Sequence, residues 1–408
     1  MLFRLSLLAL FIPFLTFASE ALTIEYLIRS TLETHPTIKA SRQMIKGAEA
    51  GLEGAKWGYY PTPSIEISQS ASRRGSAFRL DQPLWTGGKI DASVDIAALQ
   101  QQEAIMTLSE NSYTLIESLL LALQSYQQSI LSIRALEEGK SQLNGLQAML
   151  ERRIEAGVSS QADRKLLLSR MGQIQGDLEA AHTRSIMARH QIELISSVSL
   201  TSDLALNQPF IDSQAIPYPD LAEAISNTHP TLKKLAIKTQ IAHVERDKAK
   251  AQLWPNLMLR AEHTNGSVYI DGGKSDNLIY LHAQMSTGAG LSTLSSIQSA
   301  ESKILQSQYE YQSKTKELID SALKEYSNYR TYHDRIATQK HTIQAAQQVF
   351  DSYTRLFIAG KRQWLDLVNA SRELTQYKTS LAEMEAAYTI LAYQLALKRG
   401  ILNVGEQP

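Results

Sequence analysis

The residue types that could do chemistry are few in this sequence, and none is arranged as a catalytic site. His35 and His229 each stand in a Thr-His-Pro-Thr tetrapeptide and could bind a metal, but no second ligand lies at a fixed spacing from either. Gly273-Lys274-Ser275 is similar to the end of a phosphate-binding loop, yet Val268 stands where that motif needs a glycine. The sequence has no His-Glu-x-x-His, no Gly-x-Ser-x-Gly and no cysteine. We therefore predict a protein that is not an enzyme, uses no cofactor or metal, and places both histidines at helix junctions.

Composition and the N-terminus restrict the class of protein. The 41 basic and 41 acidic residues balance, which argues against a nucleic-acid partner because such partners favour a basic excess. Arg4, an apolar run over Leu5–Phe17 and small residues before a cleavage point after Ala18 predict a signal peptide over residues 1–18. An uncleaved anchor is the alternative. No later stretch of the sequence has the roughly 20 apolar residues of a membrane helix.

The repeated tetrapeptide is part of a longer internal repeat. A constant shift aligns Thr34–Thr37 with Thr228–Thr231, Ala55-Lys56 with Ala249-Lys250, and Pro61 with Pro255. Such long-period similarity indicates a duplicated unit. We predict a first repeat over residues 19–200, a linker over 201–219, a second repeat over 220–400 and a short tail over 401–408.

Each repeat contains two short segments whose apolar residues alternate with polar ones, the pattern of a strand. The predicted strands cover residues 61–71 and 76–86 in the first repeat and about 255–264 and 277–287 in the second. Segments of about ten residues can cross a bilayer as tilted strands. Four strands cannot close a barrel, so that interpretation needs several chains. A soluble hairpin packed on a helix fits the pattern equally well.

Long helices account for the rest of each repeat. Lys89 to about Glu155 lacks proline, and its apolar residues alternate spacings of three and four, which is typical of coiled coils. A turn near residues 156–160 precedes a returning helix from Gln161 to Ser196. The second repeat has the same order, with helices over Ser292–Ile358 and Trp364–Lys398 and a turn near residues 359–363.

The order of motifs along the whole chain resembles the TolC family of bacterial outer-membrane channel-tunnels. The resemblance is carried by the two Thr-His-Pro-Thr motifs, by Tyr60-Pro61 and Trp254-Pro255 before the strands, by the strand-to-helix junctions Gln82-Pro83-Leu84-Trp85-Thr86-Gly87-Gly88-Lys89 and Gln284-Met285-Ser286-Thr287-Gly288-Ala289-Gly290, and by two Ala-Gly turns each followed by an aspartate. It implies a mainly α fold with a small transmembrane β part. Three chains would form an α-barrel and a 12-stranded β-barrel, which favours the membrane interpretation of the strands.

The resemblance also implies a function and partners. It indicates a homotrimeric duct through the outer membrane and periplasm, in contact with outer-membrane lipid. The duct would work with a periplasmic adaptor protein and, through it, an inner-membrane ABC transporter or other pump. The Tyr-Pro-Thr-Pro-Ser run and the first junction look more like members that serve type I secretion of a large protein such as an adhesin. Small-molecule or multidrug efflux is the alternative. A periplasmic scaffold without a pore and a secreted toxin or hydrolase are hypotheses of other classes.

Functional residues implied by the resemblance lie at the helix turns. Arg362 and Asp366 match the family's periplasmic gate, with Asp163 as the first-repeat counterpart, and three Asp366 carboxylates near one axis would favour cations. Phe357 and Asn369 stand where the family has a tyrosine and a second carboxylate, which predicts a weaker gate and weaker selectivity. The adaptor is expected to dock at the helix tips, which carry Arg152, Gly157, Arg355 and Gly360.

Overall fold

The structure is a computed structural model that describes residues 23–70, 73–200, 218–266, 275–286 and 288–402. The predicted signal peptide, most of the linker and tail, and the Gly273-Lys274 pair lie outside these residues.

Both halves of the chain have the same order of elements, so the internal duplication is visible in the structure. The first half contains α1 (Ile24–Thr34), α2 (Pro36–Lys56), β1 (Thr62–Ser70), β2 (Arg73–Trp85), α3 (Lys89–Glu155) and α4 (Gln161–Ser196). The second half contains α5 (Tyr218–Thr228), α6 (Pro230–Ala251), β3 (Asn256–Gly266), β4 (Asp276–Gln284), α7 (Ser292–Ile358) and α8 (Trp364–Lys398). Short 3-10 turns follow α2 and precede α7. The four long helices have the predicted bounds, whereas β2 begins three residues earlier than predicted.

The repeated Thr-His-Pro-Thr motif is a helix start. His35 and His229 are the N-cap residues of α2 and α6, and each accepts a hydrogen bond at Nδ1 from the backbone N–H two residues later, at 3.2 and 3.3 Å. Proline follows at the first helical position, where its missing N–H costs nothing. The histidines therefore satisfy a backbone donor at a helix junction, as the sequence predicted.

The long helices pack as two hairpins that share an apolar core. α3 and α7 each contain 67 residues, which corresponds to about 100 Å of helix. α3 packs against both α4 and α8, and α7 packs against α8. Buried residues of α3 recur every three or four positions, for example Leu143, Leu146 and Leu150. Among the described residues, no helix combines the length and apolar character needed to span a membrane.

The four strands form one antiparallel sheet in the order β1-β2-β3-β4, so β2 and β3 join the two halves. The strand register places Phe78 of β2 opposite Ile65 of β1 and His263 of β3. It places the next residue, Arg79, opposite Ser64 and Glu262. One face, which we call the apolar face, exposes large side chains at Ile65, Ile67, Phe78, Leu80, Leu259, Ile279 and Leu281. The other, which we call the polar face, carries charged side chains that pack against one another. Both edges of the sheet, β1 and β4, lack a strand partner within the described part of the chain.

Candidate functional site

The tip of the first hairpin is held by a glycine turn and a helix cap. Gly157 has φ +73°, a conformation that favours glycine, and its N–H donates to the Ile154 carbonyl at 2.9 Å. Ser160 caps α4 by accepting from the Asp163 N–H at 3.2 Å, and the Asp163 carboxylate accepts from the Ser160 N–H at 3.1 Å. Asp163 thus serves a capping box. These hydrogen bonds account for Asp163 as part of the cap of α4.

The tip of the second hairpin has the same turn but a different polar arrangement. Gly360 has φ +71°, and its N–H donates to the Phe357 carbonyl at 3.0 Å. The Arg362 guanidinium pairs with the Asp366 carboxylate at 3.2 Å, one helical turn away, and lies 4.4 Å from the centre of the Tyr353 ring. Both partners of this ion pair are partly exposed, so the pair contributes little to stability. The Asp366 carboxylate therefore lies at the tip of the second hairpin, where solvent or another chain can contact it.

Arg153 connects the two hairpin tips. Its guanidinium lies 4.6 Å from the centre of the Phe357 ring and donates to the Phe357 carbonyl at 3.5 Å and to Ser159 Oγ at 3.4 Å. The Phe357 ring is buried and packs against Trp364 with 5.3 Å between ring centres. A cation over an aromatic face in a partly buried setting is worth about 1 kcal/mol. Arg153 therefore links α3 to the end of α7.

Sequence reasoning selected Arg152 and missed Arg153. The Arg152 and Arg355 side chains are exposed and have no hydrogen-bond or ion-pair partner among the described residues. Arg153 follows Leu146 and Leu150 at the coiled-coil spacing, so the seam that buries these leucines also directs Arg153 toward the second hairpin. The three- and four-residue spacing along α3 was therefore the feature of the sequence that could have identified Arg153.

The described side chains do not join the two predicted gate aspartates. No hydrogen bond or ion pair within the described residues links Asp163 to Arg362 or Asp366. The turns instead share exposed apolar residues, namely Val158, Ile358 and Leu365, close to the two glycines.

Burial and neighbouring charges shift the pKa values of three groups on the helices. Burial, with smaller contributions from Lys398 and Lys314 and against the opposing effect of Glu110, lowers the pKa of His229 to about 4. Burial also raises the pKa of Glu117, with Glu325 adding to the effect and Lys398 opposing it. At the first tip, the Glu151 carboxylate hydrogen-bonds Arg164 and raises the pKa of that guanidinium. Within the described residues, no group of three metal-ligating side chains occurs.

Comparison with known proteins identifies the family. A family model described as outer membrane efflux protein matches residues 27–193 and 221–399. The alkaline protease secretion protein AprF of Pseudomonas aeruginosa is 22% identical over 303 residues, and the match covers 70% of this chain but 62% of that relative.

Solved structures show the same fold over nearly the whole chain. A membrane protein from Pseudomonas aeruginosa superposes with a TM-score of 0.81 at 13% identity, covering 92% of this chain and 93% of that one. The outer membrane protein VceC of Vibrio cholerae gives 0.79 at 14% identity, covering 92% and 96%. These matches confirm the mainly α fold with a small β part. The family match supports the predicted outer-membrane location and a transport protein rather than an enzyme. The chain belongs to the outer membrane efflux protein family.

Proposed function

We propose that three copies of this chain close into a passive channel-tunnel, the outer-membrane exit duct of a tripartite export system. The observation that carries the proposal is the four-stranded sheet with an exposed apolar face and two unpaired edges. Ile67 is 80% exposed and Ile279 is 76% exposed, although both lie in regular strands. Lipid can cover the apolar face of the sheet. It cannot cover the two edges, because their unpaired backbone N–H and C=O groups would have no hydrogen-bond partner in the bilayer.

Pairing of β4 with β1 of a neighbouring copy removes the edges. Three sheets of four strands then give a barrel of twelve strands, an even number as in other membrane barrels. The same symmetry would place three pairs of α-hairpins side by side as a tunnel of about 100 Å. Exposed apolar residues of α4 and α7, among them Ile186, Leu194, Leu305 and Tyr309, would then be covered by neighbouring chains.

The hairpin tips support the proposed partners. The exposed apolar side chains Val158, Ile358 and Leu365 flank the two glycine turns and offer a docking surface for a periplasmic adaptor protein. Arg152, Gly157, Arg355 and Gly360 belong to the same surface. The adaptor would connect the duct to an inner-membrane ABC transporter or other pump, which supplies the energy.

A gate at the same end remains part of the proposal. Asp366 and Arg362 would form its polar constriction, since their ion pair lies at the free end of the second hairpin. Asp163 would act on the gate through the first turn that it caps. Arg153 would hold the hairpins together in the closed state.

We propose type I secretion of a large protein, such as an adhesin, as the export route. The name of the relative AprF, an alkaline protease secretion protein, supports protein cargo. Small-molecule or multidrug efflux is the second candidate, favoured by the description of the matching family.

The cargo is tested by deleting the gene in its own host. Large secreted and surface proteins would be compared by mass spectrometry, and the same strains would be tested for sensitivity to dyes, detergents and antibiotics. Loss of a large exported protein with normal tolerance is the expected result. New sensitivity with unchanged secretion would assign the duct to efflux. Complementation with the intact gene is the control.

A further inference from the structure

A network of ion pairs crosses the polar face of the sheet, away from the helix tips. We propose that its exposed carboxylate, Glu66, forms a second cation-selecting ring inside the pore at the level of the membrane. This inference rests on the proposed trimeric channel, because only a closed barrel turns the polar face toward a lumen. It assigns selectivity to a site about a full helix length away from Asp366.

The network consists of one guanidinium between two carboxylates. Arg79 Nη1 lies 2.6 Å from Glu66 Oε2 on β1, and Arg79 Nε lies 3.0 Å from Glu262 Oε1 on β3. The Tyr280 hydroxyl on β4 donates to Glu262 Oε2 at 3.0 Å. These contacts therefore span all four strands and leave the trio of charged groups with one excess negative charge.

Burial decides which carboxylate a permeating ion meets. The Glu262 side chain is 2% exposed and that of Arg79 is 18% exposed, whereas the Glu66 side chain is 54% exposed. Glu66 also lies at the centre of β1 (Thr62–Ser70), so the ring would lie halfway across the sheet. The excess charge of the trio is presented to the lumen mainly by Glu66.

Among the described side chains of this face, the remaining charges do not cancel the excess; the register also places Arg73 on this face, at the first residue of β2 and six residues before Arg79. Asp81 and Arg260 pair with each other through two hydrogen bonds of 2.6 and 2.9 Å and form a neutral unit. The register of β3 and β4 places Asp276 on the same face as Glu262, and the Asp276 side chain is exposed. With histidine counted as neutral, the described side chains of the face comprise four carboxylates and two guanidiniums: Glu66, Asp81, Glu262 and Asp276 against Arg79 and Arg260.

Distance and screening determine whether such a ring can act on ions. A twelve-stranded barrel with strands about 4.8 Å apart and tilted about 40° has a backbone radius of about 12 Å. A glutamate that extends about 5 Å inward from the barrel wall ends about 7 Å from the axis. The Debye length is about 10 Å in 0.1 M salt and about 3 Å in 1 M salt. The ring should therefore act across the whole pore in dilute salt and lose its influence in concentrated salt.

The test is ion selectivity of the purified full-length protein in a planar bilayer, with KCl gradients as the probe. Glu66→Gln should lower the potassium-to-chloride permeability ratio about twofold or more near 0.1 M salt, with a much smaller change near 1 M. Glu66→Asp keeps the charge and should keep the wild-type ratio. Removing an exposed ion-pair partner costs little stability, and Arg79 retains Glu262, so these variants should assemble.

The same measurements on Asp366→Asn separate the two rings. An additional loss of selectivity in the double variant Glu66→Gln, Asp366→Asn supports a second ring. An unchanged reversal potential in Glu66→Gln at 0.1 M salt would overturn the inference, as would an equal loss in Glu66→Asp, which would indicate a packing effect. A wild-type protein that conducts no ions would instead contradict the channel proposal itself and leave no lumen for Glu66 to line.

Discussion

The buried N-cap histidine of α6 should make the stability of the protein depend on pH. His229 is 5% exposed, its ring centre lies 4.6 Å from that of Tyr113, and its Nδ1 accepts the Thr231 N–H at 3.3 Å. Protonation would remove this acceptor and place a charge in a buried site near Lys398, which also lowers the pKa. The neutral form is therefore the one compatible with the fold.

The size of the effect follows from the two pKa values. The pKa of His229 is about 4 in the folded protein, below its ordinary value of 6.5. The unfolded chain binds the proton more tightly, so stability is intact above pH 6.5 and is lost as pH falls toward 4. The complete decrease in the free energy of unfolding is about 3 kcal/mol, and about 2 kcal/mol of it occurs between pH 7 and pH 5. For a chain of this length that corresponds to a decrease of about 2 °C in the unfolding midpoint.

The perturbation is His229→Asn, because asparagine can cap a helix but does not titrate in this range. Thermal unfolding of the detergent-solubilised protein would be followed by circular dichroism at pH 7 and pH 5. We expect the variant to be less stable than wild type at pH 7 and to show a smaller decrease on acidification. His35→Asn, at the equivalent but more exposed cap, is the matched control and should keep the wild-type pH dependence. An equal decrease in wild type and His229→Asn would refute the reasoning.

Three further predictions concern the helix core and the tips. Arg153→Ala removes the cation that lies 4.6 Å from the Phe357 ring, so single-channel conductance should rise, and a wild-type value would contradict the proposed link. Burial raises the pKa of Glu117, so its contribution to stability is present below its unfolded pKa and is lost as pH rises through the folded pKa. Glu117→Gln should therefore raise the unfolding midpoint at pH 8, and a lower midpoint there would argue against this assignment. Asp366→Asn should reduce cation selectivity by about twofold, and unchanged reversal potentials would remove Asp366 from the pore constriction.

The long helices could be predicted from sequence because their ends carry strong local signals. Gly157 and Gly360 occupy left-handed turns, and the prolines after His35 and His229 mark helix starts. The start of β2 was less predictable. Arg73 pairs with Ser70 across a very short connection, where a sequence rich in serine, arginine and glycine favours a longer turn.

The functional surfaces were harder to predict because they depend on contacts between distant segments. Arg153 and Phe357 are far apart in sequence, and only the packing of α3 against the second hairpin brings them together. The Glu66–Arg79–Glu262 network likewise depends on the register of three strands from both halves. Asp163 illustrates the opposite case, since the Ser160-x-x-Asp163 capping box is visible in the sequence and accounts for its contacts. Its proposed part in gating stays a prediction, as do the boundaries of the repeats and linker.

The most direct test of the account is whether β4 of one copy pairs with β1 of the next. The native sequence has no cysteine, so any engineered crosslink is unambiguous. Ile65→Cys on β1 would be combined in turn with Ile279→Cys, Leu281→Cys and Ala283→Cys on β4, all of which lie on the apolar face. We predict that at least one pair, oxidised in outer membranes, gives a denaturant-resistant ladder that ends at the trimer. Absence of intermolecular bonds in all three pairs, or ladders that continue beyond the trimer, would contradict a closed barrel of three chains.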